Sequence, residues 1–184
     1  MVHVSAGTLK DLEFDQIRQL CAAYCVTTMG RSAVLEISPM ALISDVSHAL
    51  QKVNEYLSSF DNDNTIPNHG FEAINKALKM MSIENTYLEI ADFRNIASLA
   101  ETANTLILFF KKFKDYYPTL NEDASLMAPN KTIGLEVYAV IDKFGTVKDN
   151  ASALLSQLRR DIRSVQSKIN TSFAKALDHY QKLD

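Results

Sequence analysis

Apolar positions recur at steps of three and four along almost the whole chain, the spacing of one face of a helix. Leu9, Leu12, Phe14, Ile17, Leu20, Cys21 and Tyr24 predict a helix over 9–25. A second helix is predicted from Thr27 or Thr28, either of which caps its first amides, to about Ile37, where Ser38-Pro39 stops it. Ser44-Asp45 reads as the cap of the next, whose stripe is Val46, Ala49, Leu50, Val53, Tyr56, Leu57 and Phe60. The run Asp61-Asn62-Asp63-Asn64, followed by Pro67 and Gly70, is a loop by composition. A short helix over 71–81 and a link over 82–86 lead into a helix over 87–113. Its apolar positions, from Leu88 and Ala91 to Phe109, Phe110 and Phe113, cover much of the circumference and predict a central place. Tyr116-Tyr117-Pro118 breaks it, a turn or two fits 119–128, and a further short helix is predicted over 133–141. The segment 142–149, with Gly145 beside Thr146-Val147, is the one candidate for a short β-hairpin.

The final segment is the most regular. Ala151, Leu155, Leu158, Ile162, Val165 and Ile169 follow a heptad seam, and the fours of Phe173, Leu177 and Tyr180 resemble a stutter. About 33 residues of helix would extend roughly 50 Å. No Gly or Pro ends it before Asp184, so it reads as an element that continues. The fold class expected is all-α: a multi-helix bundle at 1–150, then the start of a long lever-like helix at 151–184.

Composition agrees with helices. Among 184 residues there are only 5 Gly and 4 Pro, few marks to cut the chain into short strands. A hydrophobic share of 47% and a charged share of 22% are ordinary for a globular protein. The absence of a long apolar run or a basic-then-apolar leader leads us to expect a cytoplasmic protein away from membranes. Charge is uneven. From Ala151 on, six basic residues (Arg159, Arg160, Arg163, Lys168, Lys175, Lys182) face three acids; the remainder holds 13 basic and 19 acidic residues. A basic last helix follows an acidic body.

No catalytic constellation is found. Phosphate-loop, Gly-x-Gly, Gly-x-Ser-x-Gly and His-Glu-x-x-His patterns are all missing. Cys21 and Cys25 share a helix face and read as buried small apolar thiols. His3 and His48 are isolated, and the spacing of Asp61, Asp63 and His69 fits no common metal site, so no metal is expected. Glu84, Glu89 and Asp92 suit the N-terminus of a helix better than an acid–base pair. Lys111, Lys112 and Lys114 suit a helix C-terminus, although with Tyr116 and Tyr117 they also resemble a phosphate-and-base grip. Arg159 and Arg163 share one face at i and i+4, beside the seam, and with Lys168 are the candidate nucleic-acid contacts. The competing reading is the solvated flank of a coiled coil.

Two motifs carry a resemblance. Leu12-Glu13-Phe14-Asp15-Gln16-Ile17, then Ala23 to Arg31 with Thr27, Thr28 and Gly30, then Pro39, resembles the opening of the MutS-type ATPases. The run Ile141-Asp142-x-x-Gly145-x-Val147-x-Asp149-x-Ala151-Ser152-x-x-Leu155-x-x-Leu158-Arg159-x-x-Ile162 is similar to that family's entry into its lever helix. Lys76-Ala77-Leu78-Lys79 and Leu88-Glu89-Ile90-Ala91-Asp92 agree with the region between. The branch resembled is the recombination-suppressing paralogue that carries an Smr domain and lacks the mismatch-reading domains of other members.

The resemblance implies that full-length relatives dimerise, hydrolyse ATP with Mg, bind branched DNA and restrain homologous recombination, with endonuclease activity in some. It also implies a link to ribosomes in some. The phosphate loop and the Smr domain would lie downstream, leaving no cofactor and no catalysis to these residues. The alternative, from the residues alone, is a stand-alone helical scaffold for protein partners.

Overall fold

A computed structural model describes residues 4–142 and 144–182. His3, Asp184, the side chain of Tyr180 and Lys143, which falls within the candidate hairpin over 142–149, lie outside what it describes. The described residues form helices α1 (Ala6–Asp11), α2 (Phe14–Ala23), α3 (Thr28–Leu35), α4 (Ile43–Ser58), α5 (Asn75–Met81), α6 (Ile90–Lys112), α7 (Pro118–Ser125), α8 (Thr132–Val140) and α9 (Ala153–Gln181), with no strand among them. The all-α expectation therefore holds. The chain divides into two compact units, Met1–Leu135 and Glu136–Asp184.

In the first unit α2 packs on α1 and α3, and α7 on α4 and α6. The helix expected over 9–25 is two, because Glu13 adopts a left-handed conformation (φ 52°) and starts a new helix. The Thr27 hydroxyl accepts from the Gly30 amide at 3.0 Å, the cap expected for α3. Helix α4 begins at Ile43 behind Leu42 with no side-chain cap, so Ser44 and Asp45 lie inside its first turn rather than ahead of it. Residues 71–74 are not helical and α5 is shorter than expected. At α6, Glu89 and Asp92 form a reciprocal capping box, which moves the start to Ile90.

The α4–α7 junction holds Tyr117 and Ser59, the largest fully buried side chains among the described residues. Tyr117 is fully buried beside Phe109 and Phe110, with ring centroids 5.7 and 6.0 Å away. Its hydroxyl donates to the Asn62 side chain at 3.2 Å and to the Asn64 carbonyl, which ties down the polar loop after α4. Pro118 opens α7 where no amide is needed. The next two amides, of Thr119 and Leu120, each donate to the buried Glu55 carboxylate at 3.0 Å. Burial pushes the Glu55 carboxyl up, but these bonds and that from Gln51 outweigh it and hold the pKa below its ordinary 4.5.

Elsewhere the buried apolar side chains are mostly alanines: Ala22, Ala77, Ala97 and Ala124, with Ile107. Large apolar residues stay open instead. On α4 and just past it, Ile43, Val46, Leu50, Val53, Leu57 and Phe60 keep steps of three and four and are 37 to 86% exposed.

Candidate nucleic-acid interface

The second unit is built around the approach to α9. The hairpin considered for 142–149 is a single antiparallel bridge, Ile141 to Val147, without strands. The Asp142 amide donates to Thr146 O at 2.9 Å beside the bridge, and side-chain capping adds to it: Asp142 Oδ1 accepts from the amides of Phe144 (2.8 Å) and Thr146 (2.9 Å). Gly145, at φ 83°, supplies the left-handed residue that the turn requires. The Lys148 amide donates to Val140 O at 2.9 Å, and its ammonium to Tyr138 O.

Beyond this turn Asp149 reaches two arginines. One oxygen accepts from Arg159 at 2.5 Å and the other from Arg163 at 3.0 Å. Arg159 also donates to Val147 O at 2.8 Å, so one guanidinium holds both the carboxylate and the backbone of the turn. The hydrogen bonds from Arg159 and then Arg163 keep the Asp149 carboxyl below its usual range.

Helix α9 has 29 residues, about 44 Å at 1.5 Å per residue. Its seam is open: Leu158 is 49% exposed, Ile162 58%, Val165 54% and Ile169 59%. At about 100° per residue, Arg159 and Arg163 lie about 40° apart on one edge of that seam. Lys168 lies about 180° from Arg159, on the far edge with Asp161. The fold thus brings two of the three candidate residues together and separates the third. Asp149 was missed as a site residue because it precedes the helix, where periodicity assigns it no face. The signal available was an acid about one turn before a helix whose first turns carry arginines.

The other candidates are scattered in the first unit. Lys111 and Lys114 border a cleft with Ile107, Ala124 and Met127, while the Lys112 ammonium sits 4.8 Å from the Phe113 ring centre. His69 faces Tyr56 edge-on at 5.8 Å, with a ring nitrogen 3.2 Å from Pro67 O. Cys21 and Cys25 are free thiols, but not the buried ones expected: Cys21 is exposed and Cys25 half-buried. Among the described residues no group of three His, Cys, Asp or Glu side chains is placed to hold a metal, and no helix is long and apolar enough to cross a membrane.

No family model matches the chain. Individual relatives do. Endonuclease MutS2 of Symbiobacterium thermophilum is 24% identical over 162 residues, 88% of this chain and 20% of the relative. That of Lactiplantibacillus plantarum is 23% identical over 184 residues, 97% of this chain and 23% of the relative. That of Lacticaseibacillus casei is 27% identical over 166 residues, 88% and 21%.

The chain is a distant relative of the MutS2 proteins.

It spans about a fifth to a quarter of the length of the MutS2 relatives it matches. The resemblance read from the opening motif and from the entry into the last helix is thereby supported over most of the chain. In structural terms those two MutS2-like motifs are the α1–α3 corner and the Asp142–Asp149 approach to α9.

Proposed function

We propose that this chain is a non-catalytic core and lever segment of a MutS-type DNA-binding ATPase. In this reading α9 is a stiff rod that carries the state of a nucleotide site, elsewhere in a longer polypeptide, to a clamp that embraces DNA. The observation that carries it is the match to MutS2 over 88 to 97% of the chain. A 29-residue helix with a continuous apolar seam and an arginine edge is in keeping with it. The full-length protein would bind ATP with Mg, dimerise, act on branched recombination DNA and restrain recombination, in the cytoplasm. Any endonuclease activity, like the ATPase, would reside outside these residues.

The test uses the chain itself. ATP hydrolysis should stay at background. A fluorescent four-way DNA junction should bind weakly, with log affinity falling against log salt at a slope of about −2, one unit per arginine. ATP turnover, or tight binding that survives high salt, contradicts the reading. Preference for ribosomes over the junction would keep the family role and change the target. The open seam of α9 favours a second reading, a helical scaffold for protein partners; stable self-association or peptide capture with no junction binding would support it.

A further inference from the structure

The arginine edge of α9 already has an occupant. The two oxygens of Asp149 are each held by a different guanidinium, one helical turn apart, at 2.5 and 3.0 Å. A phosphodiester presents two non-bridging oxygens with a similar bite, and arginine binds carboxylate and phosphate by the same fork geometry. We propose that Asp149 stands in for phosphate: it fills the Arg159–Arg163 fork, and a nucleic-acid phosphate enters by displacing it, which leaves the turn before α9 held to that helix by the Arg159 bond to Val147 O. The nucleic-acid target rests on the proposed function; the displacement by phosphate does not.

Three features support displacement. The Asp149 and Arg163 side chains are 52% and 60% exposed, so water reaches the pair from outside. Exposed ion pairs are weak and screened by salt, whereas a polyanion gains from releasing its own counterions. The stand-in is specific to this fork. Asp142 is committed to the Phe144 and Thr146 amides, and Asp161 lies about 160° round the helix from either arginine. The exchange also has a mechanical consequence. Arg159 keeps its bond to Val147 O when Asp149 leaves, but the contact from Arg163 to the turn is lost, so one guanidinium instead of two ties the turn to α9.

The experiment titrates the chain with two probes, a labelled four-way DNA junction and inorganic tripolyphosphate. The variants are Asp149→Asn, Asp149→Ser, Asp149→Glu, Asp161→Asn, and Arg159→Gln/Arg163→Gln with and without Asp149→Asn. Asp149→Asn and Asp149→Ser should tighten both probes about three- to fivefold. Asp161→Asn should give a smaller gain, set by net charge alone, and Asp149→Glu should bind as weakly as the parent. The gain should vanish on the double-glutamine background. Tighter tripolyphosphate binding without junction binding keeps the displacement and overturns the DNA reading. Junction binding unchanged by Asp149→Asn and by Asp149→Ser keeps the DNA reading and overturns the displacement. A gain no larger than that of Asp161→Asn, or one that survives loss of both arginines, overturns it too.

Discussion

Glu55, at the α4–α7 junction, and Asp149, at the base of α9, each accept hydrogen bonds from two residues of another element. Glu55 is 3% exposed and takes backbone amides that have no other acceptor; Asp149 is open to water and takes guanidinium groups that water also solvates. Removing the first acceptor leaves two amides buried and unpaired. Removing the second exchanges one solvated partner for another. The same chemical group therefore acts as a fixed clamp in one place and as an exchangeable contact in the other, and burial decides which.

Glu55→Ala is the largest expected break. Two orphaned amides at the start of α7 should cost about 2–4 kcal/mol, a fall in melting temperature on the order of 10 °C for a unit of this size. Glu55→Gln should fall between it and the parent, because the amide oxygen still accepts one of the bonds. Thermal unfolding followed by circular dichroism measures both. A loss for Glu55→Ala no greater than that of an exposed Glu→Ala control would show that water already reaches Thr119 and Leu120.

This clamp was not legible in the sequence, and the reason is distance. Glu55 lies on the polar side of the α4 stripe, and its partners are 64 and 65 residues away. What was legible was local: the Thr27 cap, the break at Tyr117-Pro118, and the Glu89 and Asp92 acids at a helix start. Where local signals conflicted, the reading failed. The apolar pattern runs unbroken through Leu12-Glu13-Phe14, and no Gly or Asn marks the left-handed residue that divides α1 from α2. Periodicity also joined residues 71–74 to α5 and offered Ser44 as a cap for a helix that had already begun. At the candidate site, helical spacing correctly paired Arg159 with Arg163. The same arithmetic sets Lys168 on the opposite face, so it joined the set by charge and not by geometry.

The comparison sharpens at low pH. The Glu55 carboxyl titrates below its ordinary 4.5 in the folded chain. Its ionised form therefore favours folding, with a contribution complete above that ordinary value and lost as pH falls through the lower folded one. Between pH 6 and 3 the parent should lose melting temperature by more than Glu55→Gln does, and the two curves should converge at the acid end. Parallel curves would mean that the acid sensitivity of the first unit resides in other carboxylates. Asp149→Asn should run parallel to the parent across the first unit's transition.

The smallest effect expected is on thermal stability at the base of α9. Asp149 and Arg163 are solvated in the unfolded chain and more than half exposed in the folded one, Arg159 stays 32% exposed, and Asn at 149 still offers one oxygen to Arg159. Asp149→Asn should therefore lower the melting temperature of the chain only slightly, by less than Glu55→Gln does, and that difference should fade in high salt. The pairing of that result with tighter polyanion binding separates an exchangeable contact from a structural one. If Asp149→Asn instead lowers the melting temperature as far as Glu55→Gln, the joint is a clamp like the other. A phosphate that displaced Asp149 would then unfold the base of α9 rather than loosen it.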